Sequence, residues 1–362
     1  MRDGEGHVAL ITGEPGIGKS RLIHRFHEQI ADTPHTWIEV TAAPFFQNTP
    51  LYPVSENLLR ALSRRGDESL EEQLAQLESA LVLAGLDPPE AIPLIAPLVN
   101  MKLPAKYPRS ALSAEHQRQR LLALMVEWVI GLARVQPTVM VTEDLQWADP
   151  STLELIQLLM EQGPIPQLML LYTARPEFRA PWTPRLGHMQ ITLNQLSLRN
   201  ARIMVEHLSA QRGLADVTIA AVVERTGGVS LFAEELTRAV LDSGDDGLIK
   251  RAIPVSLNDS LMARLDRLGP AKEIAQMGAV IGNEFSYELI HAIHPISEEH
   301  LQSALRNLTE AELLYVHGAA PYATYLFKHA LIRDAAYEAL LESTQRPPSA
   351  GRSNDQREVP RA

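Results

Sequence analysis

Eight residues near the N-terminus have the types and the spacing that can hold a phosphate group. They fit the pattern G-x-x-x-x-G-K-[ST], in which glycines allow backbone N–H groups to turn towards an anion. The lysine would reach the β- and γ-phosphates of a nucleotide, and the serine hydroxyl would hold Mg²⁺. The alternative is a glycine-rich turn that binds nothing. The loop consists of Gly13, Glu14, Pro15, Gly16, Ile17, Gly18, Lys19 and Ser20, and Arg21 follows it.

Two adjacent carboxylates, Glu143 and Asp144, follow a short apolar run and could complete a hydrolytic site. Hydrolysis of a phosphoanhydride needs an acid that orients the metal and a group that activates water. Glu143 would orient Mg²⁺ through a water molecule, and Asp144 would polarise the attacking water. The alternative is that the two acids cap the helix predicted to begin near Pro150.

A third catalytic candidate is Arg175, which ends the next strand-like run in the sequence Thr-Ala-Arg-Pro. A cation at this position could sense the γ-phosphate and stabilise negative charge in the transition state. The alternative is a surface arginine at the end of a strand.

The segments around these residues alternate between strand-like and helix-like patterns. The phosphate loop lies between an apolar run of strand length and a helical pattern, and the acidic pair ends another apolar run. The strand-like runs are residues 7–12, 36–41, 139–142, 168–173 and 189–193. This alternation predicts a parallel sheet with helices on both faces, and the carboxyl edge of such a sheet is where ligands bind.

Changes in pattern along the 362 residues predict several domains. The strand signal fades after the fifth run, helical periods follow, and a short hairpin is predicted near residues 314–316 and 325–327. The predicted units are an α/β P-loop NTPase domain at 1–195 with a helical insertion at about 45–112, a helical lid at 196–250, a winged-helix-like α+β domain at 251–343, and a disordered tail at 344–362.

Composition narrows the classes of partner. The 33 basic and 44 acidic residues give a net charge of -11, which disfavours a broad surface for nucleic acid or anionic membrane. The chain contains no cysteine, and therefore no disulfide, thiolate metal site or cysteine nucleophile. No apolar run is long enough to span a membrane, and we expect a cytoplasmic protein.

Taken together, the motifs resemble a known family. The segments GEPGIGKSRL, EDLQWAD, TARPEF, GGVSLFAEELTRAV, DSLMARLDRL, GAVIGNEFSYELI and YLFKHALIRDAAYEALL are similar to the STAND-type AAA-like ATPase module. They resemble most closely the bacterial version that is fused to class III adenylate or guanylate cyclase domains and to tetratricopeptide repeats. The resemblance implies a P-loop sheet domain, a helical lid and a winged helix, in which ADP closes the module and ATP opens it for signalling.

The resemblance also implies roles for single residues. Lys19 and Ser20 match the phosphate-loop pair, Glu143 and Asp144 the Walker B acids, and Arg175 the first sensor. In addition, His329 resembles the winged-helix histidine that contacts the β-phosphate in related switches, since an imidazole can donate to a phosphate. A helix histidine at a domain interface is the alternative. The resemblance further implies ATP or ADP with Mg²⁺ as ligands.

Three functions fit these observations. The first is a signal-transduction ATPase that hydrolyses ATP slowly and forms the switch of a larger regulatory or cyclase-linked protein. The second is an interaction scaffold locked by ADP, without turnover. The third is a DNA-binding regulator, which the interleaving of acidic with basic residues in the third unit disfavours. The expected partners are ATP, a protein effector such as a cyclase or repeat domain, and further copies of the chain in a nucleotide-dependent oligomer.

Overall fold

The computed structural model describes residues 6–62, 69–183, 185, 187–210, 213–243, 257–293, 296–318 and 320–345. The chain divides into two compact units, residues 1–195 and 196–362. Among the described residues, no helix combines the length and the apolar character needed to cross a membrane.

The first unit is built on a five-stranded sheet. Its neighbouring strands are all parallel and follow the order β2-β3-β4-β1-β5. The strands are β1 (His7–Gly13), β2 (Thr36–Thr41), β3 (Thr138–Glu143), β4 (Leu168–Ala174) and β5 (His188–Leu193). The predicted α/β fold class is therefore confirmed. β3 extends one residue further than predicted, so Glu143 is its last residue, while β4 ends at Ala174 and Arg175 follows it.

Among the described residues of this unit, six α-helices connect or flank these strands. Several begin at a recognisable cap: Ser113, for example, accepts a hydrogen bond from the backbone N–H of His116 at the start of the long fifth helix. The helices are α1 (Lys19–Ile30), α2 (Tyr52–Leu62), α3 (Leu70–Leu83), α4 (Pro88–Ile95), α5 (Ala114–Val135) and α6 (Pro150–Glu161), with short 3-10 turns at Pro44–Phe46, Ala96–Val99 and Leu145–Trp147.

The central strands are buried on both faces because alternate residues point to opposite sides. Met140 and Leu170 belong to the larger apolar core, which also contains buried residues of α3 to α6. Val141 and Leu171 belong to a smaller core on the other face, together with Ile23 of α1. Helices on both faces thus fix the sheet rigidly, and this fixes where its carboxyl edge presents the ends of β1, β3 and β4.

The second unit contains a helical part and a mixed part. A three-helix bundle comprises α7 (Leu198–Leu208), α8 (Asp216–Thr226) and α9 (Ser230–Ser243), which share one apolar core. The mixed part comprises α10 (Leu257–Arg267), α11 (Ala271–Ile281), β6 (Glu284–Ser286), α12 (Tyr287–Ile293), α13 (Glu298–Glu310), β7 (Leu314–His317), β8 (Thr324–Phe327) and α14 (Ala330–Gln345).

Several expectations for this unit can be compared with the structure. β7 and β8 form the predicted antiparallel hairpin, and β6 adds a third strand that the sequence pattern does not predict. α14 runs to Gln345, so the first two residues of the predicted disordered tail are helical. The rest of the predicted tail lies outside the described residues.

Ion pairs join the two parts of the second unit. The buried carboxylate of Glu235 on α9 pairs with Arg264 on α10, which also donates to the carbonyl oxygen of Ala311. Lys328 donates to Glu234 of α9 at 3.0 Å and to Glu312 at 2.9 Å. These contacts attach the helical bundle to the loop before β7 and to the segment after β8.

Candidate functional site

The phosphate loop connects β1 to α1 with a backbone that requires glycine. Gly16 and Gly18 have φ angles of 74° and 108°, a region that residues with a side chain seldom adopt. Gly18 is the N-cap of α1 and, as a glycine, provides no side-chain cap for this helix terminus. The first N–H groups of α1 and the positive end of its dipole therefore lie at the loop, which suits an anion.

Lys19 is buried at the centre of this loop. Its ammonium group donates to the carbonyl oxygens of Gly13 at 2.8 Å and Glu14 at 3.2 Å. Burial lowers the pKa of Lys19, and the charge of Arg175 adds to this effect, while the carboxylates of Asp144 and Glu143 oppose it. A buried ammonium that donates to two neutral carbonyl groups is suited to interact with a polyphosphate.

The second half of the site comes from the end of β3. The Glu143 carboxylate is buried and accepts a hydrogen bond from the hydroxyl of Ser20 in the first turn of α1. Burial raises the pKa of Glu143 to about 7, with smaller contributions from the charges of Glu39 and Asp144, although the bond from Ser20 acts in the opposite direction. A hydroxyl beside a carboxylate is a donor set of hard oxygens, which fits Mg²⁺.

Asp144 follows β3 in a left-handed backbone conformation, with φ 59° and ψ 48°. This conformation is uncommon for a residue with a side chain, though aspartate tolerates it better than most. Two contacts hold it in place. Its backbone N–H donates to the hydroxyl of Thr173 on β4 at 2.9 Å, and its Oδ1 accepts a hydrogen bond from Nε2 of Gln146 at 3.0 Å. The carboxylate is consequently fixed beside the phosphate loop, near enough for its charge to affect Lys19.

Arg175 lies half-buried directly after β4. Its guanidinium carbon lies 5.0 Å from the centre of the Trp147 ring, within the range of a cation–π contact. Its backbone N–H donates to Oε1 of Gln146 at 3.0 Å. The structure thus brings Arg175 to the same edge of the sheet as Lys19, Glu143 and Asp144.

The capping alternative for Glu143 and Asp144 is wrong, because α6 has a different cap. Asp149 directly precedes Pro150 and its Oδ1 accepts hydrogen bonds from the backbone N–H groups of Ser151 and Thr152, both at 3.0 Å. The acidic pair lies on the other side of the 3-10 turn and makes no side-chain cap there.

The remaining predicted residues lie in different places. Within the loop, Ile17 is buried whereas Glu14 is exposed, and Arg21 is exposed on the first turn of α1. His329 belongs to the second unit, half-buried directly before α14, where its charge contributes to lowering the pKa of Glu234 against the effect of burial. The role of His329 at a nucleotide stays a prediction.

The motifs do not predict four further residues that organise this site. Thr173 holds the backbone of Asp144, Gln146 bonds to both Asp144 and Arg175, and Trp147 contacts the Arg175 guanidinium. Asp149 also accepts a hydrogen bond at 3.0 Å from the backbone N–H of Leu51, which attaches α6 to the start of α2. The signal available in the sequence is their position next to the acidic pair and the arginine.

One family model matches the N-terminal part of the chain. Residues 1–171 match the family model described as AAA ATPase domain. An uncharacterized protein of Rhizobium meliloti (strain 1021) is 27% identical over 358 residues, which are 93% of this chain and 33% of that protein. The chain therefore spans about a third of the length of this curated relative.

Solved structures with a similar arrangement share little sequence with this chain. The STAND protein with a tetratricopeptide repeat sensor from Pyrococcus horikoshii is 15% identical, and its TM-score is 0.45. The match covers 96% of this chain and 44% of the Pyrococcus chain. Cdc6p from Pyrobaculum aerophilum is 15% identical, with coverage of 94% and 90% and a TM-score of 0.38. RuvB from Thermotoga maritima is 14% identical, with coverage of 93% and 87% and a TM-score of 0.36. With its parallel sheet and the loop between β1 and α1, the first unit has the α/β fold of P-loop NTPases, and residues 1–171 match an AAA ATPase domain.

Proposed function

We propose that the first unit binds ATP with Mg²⁺ and hydrolyses it slowly, and that the nucleotide state operates a signalling switch. The observation that carries this proposal is the convergence of Lys19, Ser20, Glu143 and Asp144 at one edge of the sheet. The match of residues 1–171 to an AAA ATPase domain supports it.

Each residue has a chemical task in this proposal. The loop N–H groups and the Lys19 ammonium bind the β- and γ-phosphates, since both present positive potential to the loop. Ser20 and Glu143 would hold Mg²⁺, Glu143 through a water molecule, and the metal would supply positive charge to the phosphate oxygens. Asp144 accepts a proton from the attacking water, and Arg175 stabilises the negative charge that develops on the γ-phosphate.

Slow turnover suits a switch, since the lifetime of the ATP state then sets the duration of the signal. The second unit is proposed to transmit this state, with His329 as its contact to the nucleotide. The STAND assignment, the winged helix and the cyclase or repeat context are part of the same proposal and rest on the motifs of the sequence.

Two substitutions test the assignment. Lys19→Ala should weaken ATP binding by more than about tenfold, since it removes the charge at the centre of the loop. Asp144→Asn should leave ATP binding within about twofold but lower the rate of phosphate release about a hundredfold, because an amide cannot take the proton. Binding is measured by calorimetric titration and turnover by phosphate release.

Lys102→Ala and Asp87→Asn are matched controls on exposed residues of the same unit, and both should behave like the parent. If Lys19→Ala binds ATP as tightly as Lys102→Ala, the phosphate-loop assignment is wrong. If the parent releases no phosphate and carries ADP through purification, the proposal of turnover fails and the locked scaffold takes its place.

A further inference from the structure

A closed ring of contacts joins the two candidate catalytic segments after β3 and β4. The backbone N–H of Asp144 donates to Thr173 of β4, and directly after β4 the backbone N–H of Arg175 donates to Gln146. The side-chain amide of Gln146 then donates to the carboxylate of Asp144. Every link of the ring is a hydrogen bond of 2.9 or 3.0 Å or the covalent chain itself.

The ring connects the segments that follow β3 and β4, just beyond the last backbone pair of these two strands. The last paired residues of β3 and β4 are Thr142 and Tyr172. Beyond this pair the primary amide of Gln146 links the two segments, as a peptide group links two strands. It offers one acceptor to a backbone N–H and one donor to a carboxylate, which is the same pair of functions that a peptide offers.

The orientation of this amide is determined by its partners. The N–H of Arg175 can only donate, so it must face Oε1, and the Asp144 carboxylate oxygen accepts the hydrogen bond from Nε2. An amide rotated by half a turn would place like groups against each other at both ends. Gln146 therefore supplies both the acceptor that Arg175 requires and the donor that Asp144 requires. An apolar side chain supplies neither group, and a side chain with only a donor or only an acceptor supplies one of them.

We infer that Gln146 is a positioning residue, which holds the Asp144 carboxylate and the backbone of Arg175 in one arrangement so that the water-activating group and the cation act on the same γ-phosphate. The inference rests on the proposed function of this site. A second contact supports it independently, since the ring of the adjacent Trp147 lies 5.0 Å from the guanidinium carbon of Arg175. The short turn after β3 thus contacts Arg175 at both its backbone and its side chain.

This arrangement predicts that Gln146 affects turnover and leaves binding intact, because carbonyl oxygens of the loop, those of Gly13 and Glu14, hold the Lys19 ammonium. Gln146→Leu should lower kcat about tenfold or more, while the Kd for ATP stays within about twofold of the parent value. Retained ATP binding also shows that the variant is folded. Gln157→Leu is the matched control, since Gln157 is on α6 of the same unit and its Nε2 donates to Oε1 of Glu161 at 3.0 Å in an exposed contact.

Two more variants distinguish a positioning role from a purely structural one. Gln146→His at about pH 8 should recover kcat to within about threefold of the parent, because a neutral imidazole has one donor and one acceptor nitrogen. Gln146→Glu keeps the acceptor for Arg175 but places a second carboxylate against Asp144, so it should be as impaired as the leucine variant although its shape is nearly unchanged.

The outcomes separate this inference from the function on which it rests. If the parent releases no phosphate, the proposed hydrolysis and the role of Gln146 are both overturned. If the parent turns over and Gln146→Leu or Gln146→Glu has the same kcat as Gln157→Leu, only the inference on Gln146 is overturned. The same holds if ATP binding weakens in proportion to kcat, or if Gln146→His is no better than Gln146→Leu.

Discussion

Glu143→Gln should stabilise the first unit at neutral and alkaline pH, although it removes a proposed metal-orienting group. The Glu143 carboxylate is buried at the end of β3, and burial raises its pKa from 4.5 to about 7. Ionising this group in the folded protein is therefore harder than in the unfolded chain. Glutamine has nearly the same shape, can still accept a hydrogen bond from Ser20, and cannot ionise.

The sign and the size of the effect follow from the raised pKa. Between pH 4.5 and about 7 the folded protein binds more protons than the unfolded chain, so the contribution of Glu143 is fully present below pH 4.5 and is lost as the pH rises through about 7. The shift corresponds to about 3 kcal/mol in the free energy of unfolding. The variant should therefore exceed the parent in stability by an amount that grows by about 2 to 3 kcal/mol between about pH 5 and about pH 8.

Tryptophan fluorescence can report this unit by itself. All four tryptophans lie within residues 1–195, at positions 37, 128, 147 and 182. Urea unfolding followed by this signal gives the free energy of unfolding of parent and variant across the pH range. Glu161→Gln is the matched control, since it removes one exposed negative charge from α6 and should show a difference that does not depend on pH.

A difference between Glu143→Gln and the parent that stays constant from acid to alkaline pH would refute this reasoning. So would the same pH dependence in Glu161→Gln, since net charge and not burial would then be the cause. The variant should also release phosphate more slowly than the parent with Mg²⁺ present, because the carboxylate that lowers the stability of the folded protein is also the group proposed to orient the metal.

Two further substitutions test what holds each unit together. Asp149→Ala should lower the free energy of unfolding of the first unit by about 3 kcal/mol, since it removes a helix cap and leaves the buried backbone N–H of Leu51 without its acceptor. Ser113→Ala, which removes an exposed cap, should cost less than about 1 kcal/mol in the same urea experiment. Arg264→Met should destabilise the second unit by about 3 kcal/mol or more, because it removes the ion-pair partner of the buried Glu235 carboxylate. Amide hydrogen exchange in α9 and α10 should therefore accelerate. Lys272→Met, which breaks an exposed ion pair, should leave hydrogen exchange in these helices unchanged.

Local patterns predict the sheet and the loop well, because both depend on neighbours in sequence. The apolar runs specify five strands, and the spacing of Gly16, Gly18 and Lys19 specifies a turn that other residues could not form. The cap of α6 could also be predicted: Asp149 stands directly before Pro150, and proline is favoured at the first position of a helix. That signal distinguishes Asp149 from the acidic pair Glu143 and Asp144.

Contacts between segments that are distant in sequence cannot be predicted from local patterns. Gln146 and Arg175 are 29 positions apart, and they meet only because β3 and β4 pair in one register. Changing that register by one residue would turn the side chains to the other face. Similarly, β6 has three residues, Glu284–Ser286, too few to show alternation, and its pairing with β8 defines it. No pattern within a short window contains this information.

The edge of the sheet where these residues meet concentrates features that are unfavourable for folding. Lys19 is a buried cation, Glu143 is a buried acid with a raised pKa, and Asp144 has a left-handed backbone that costs about 1 kcal/mol. Other parts of the first unit follow local preferences, as in the capping box of Ser69 and Glu72, although Leu51, Asn100 and Gln167 also have positive φ angles. The combination of a buried cation, a buried acid and a left-handed aspartate at one edge, fixed by surrounding contacts, is typical of a site shaped for its ligand. A polyphosphate with Mg²⁺ offers the charges that would compensate both buried groups, and this is the physical reason for assigning the nucleotide to this edge.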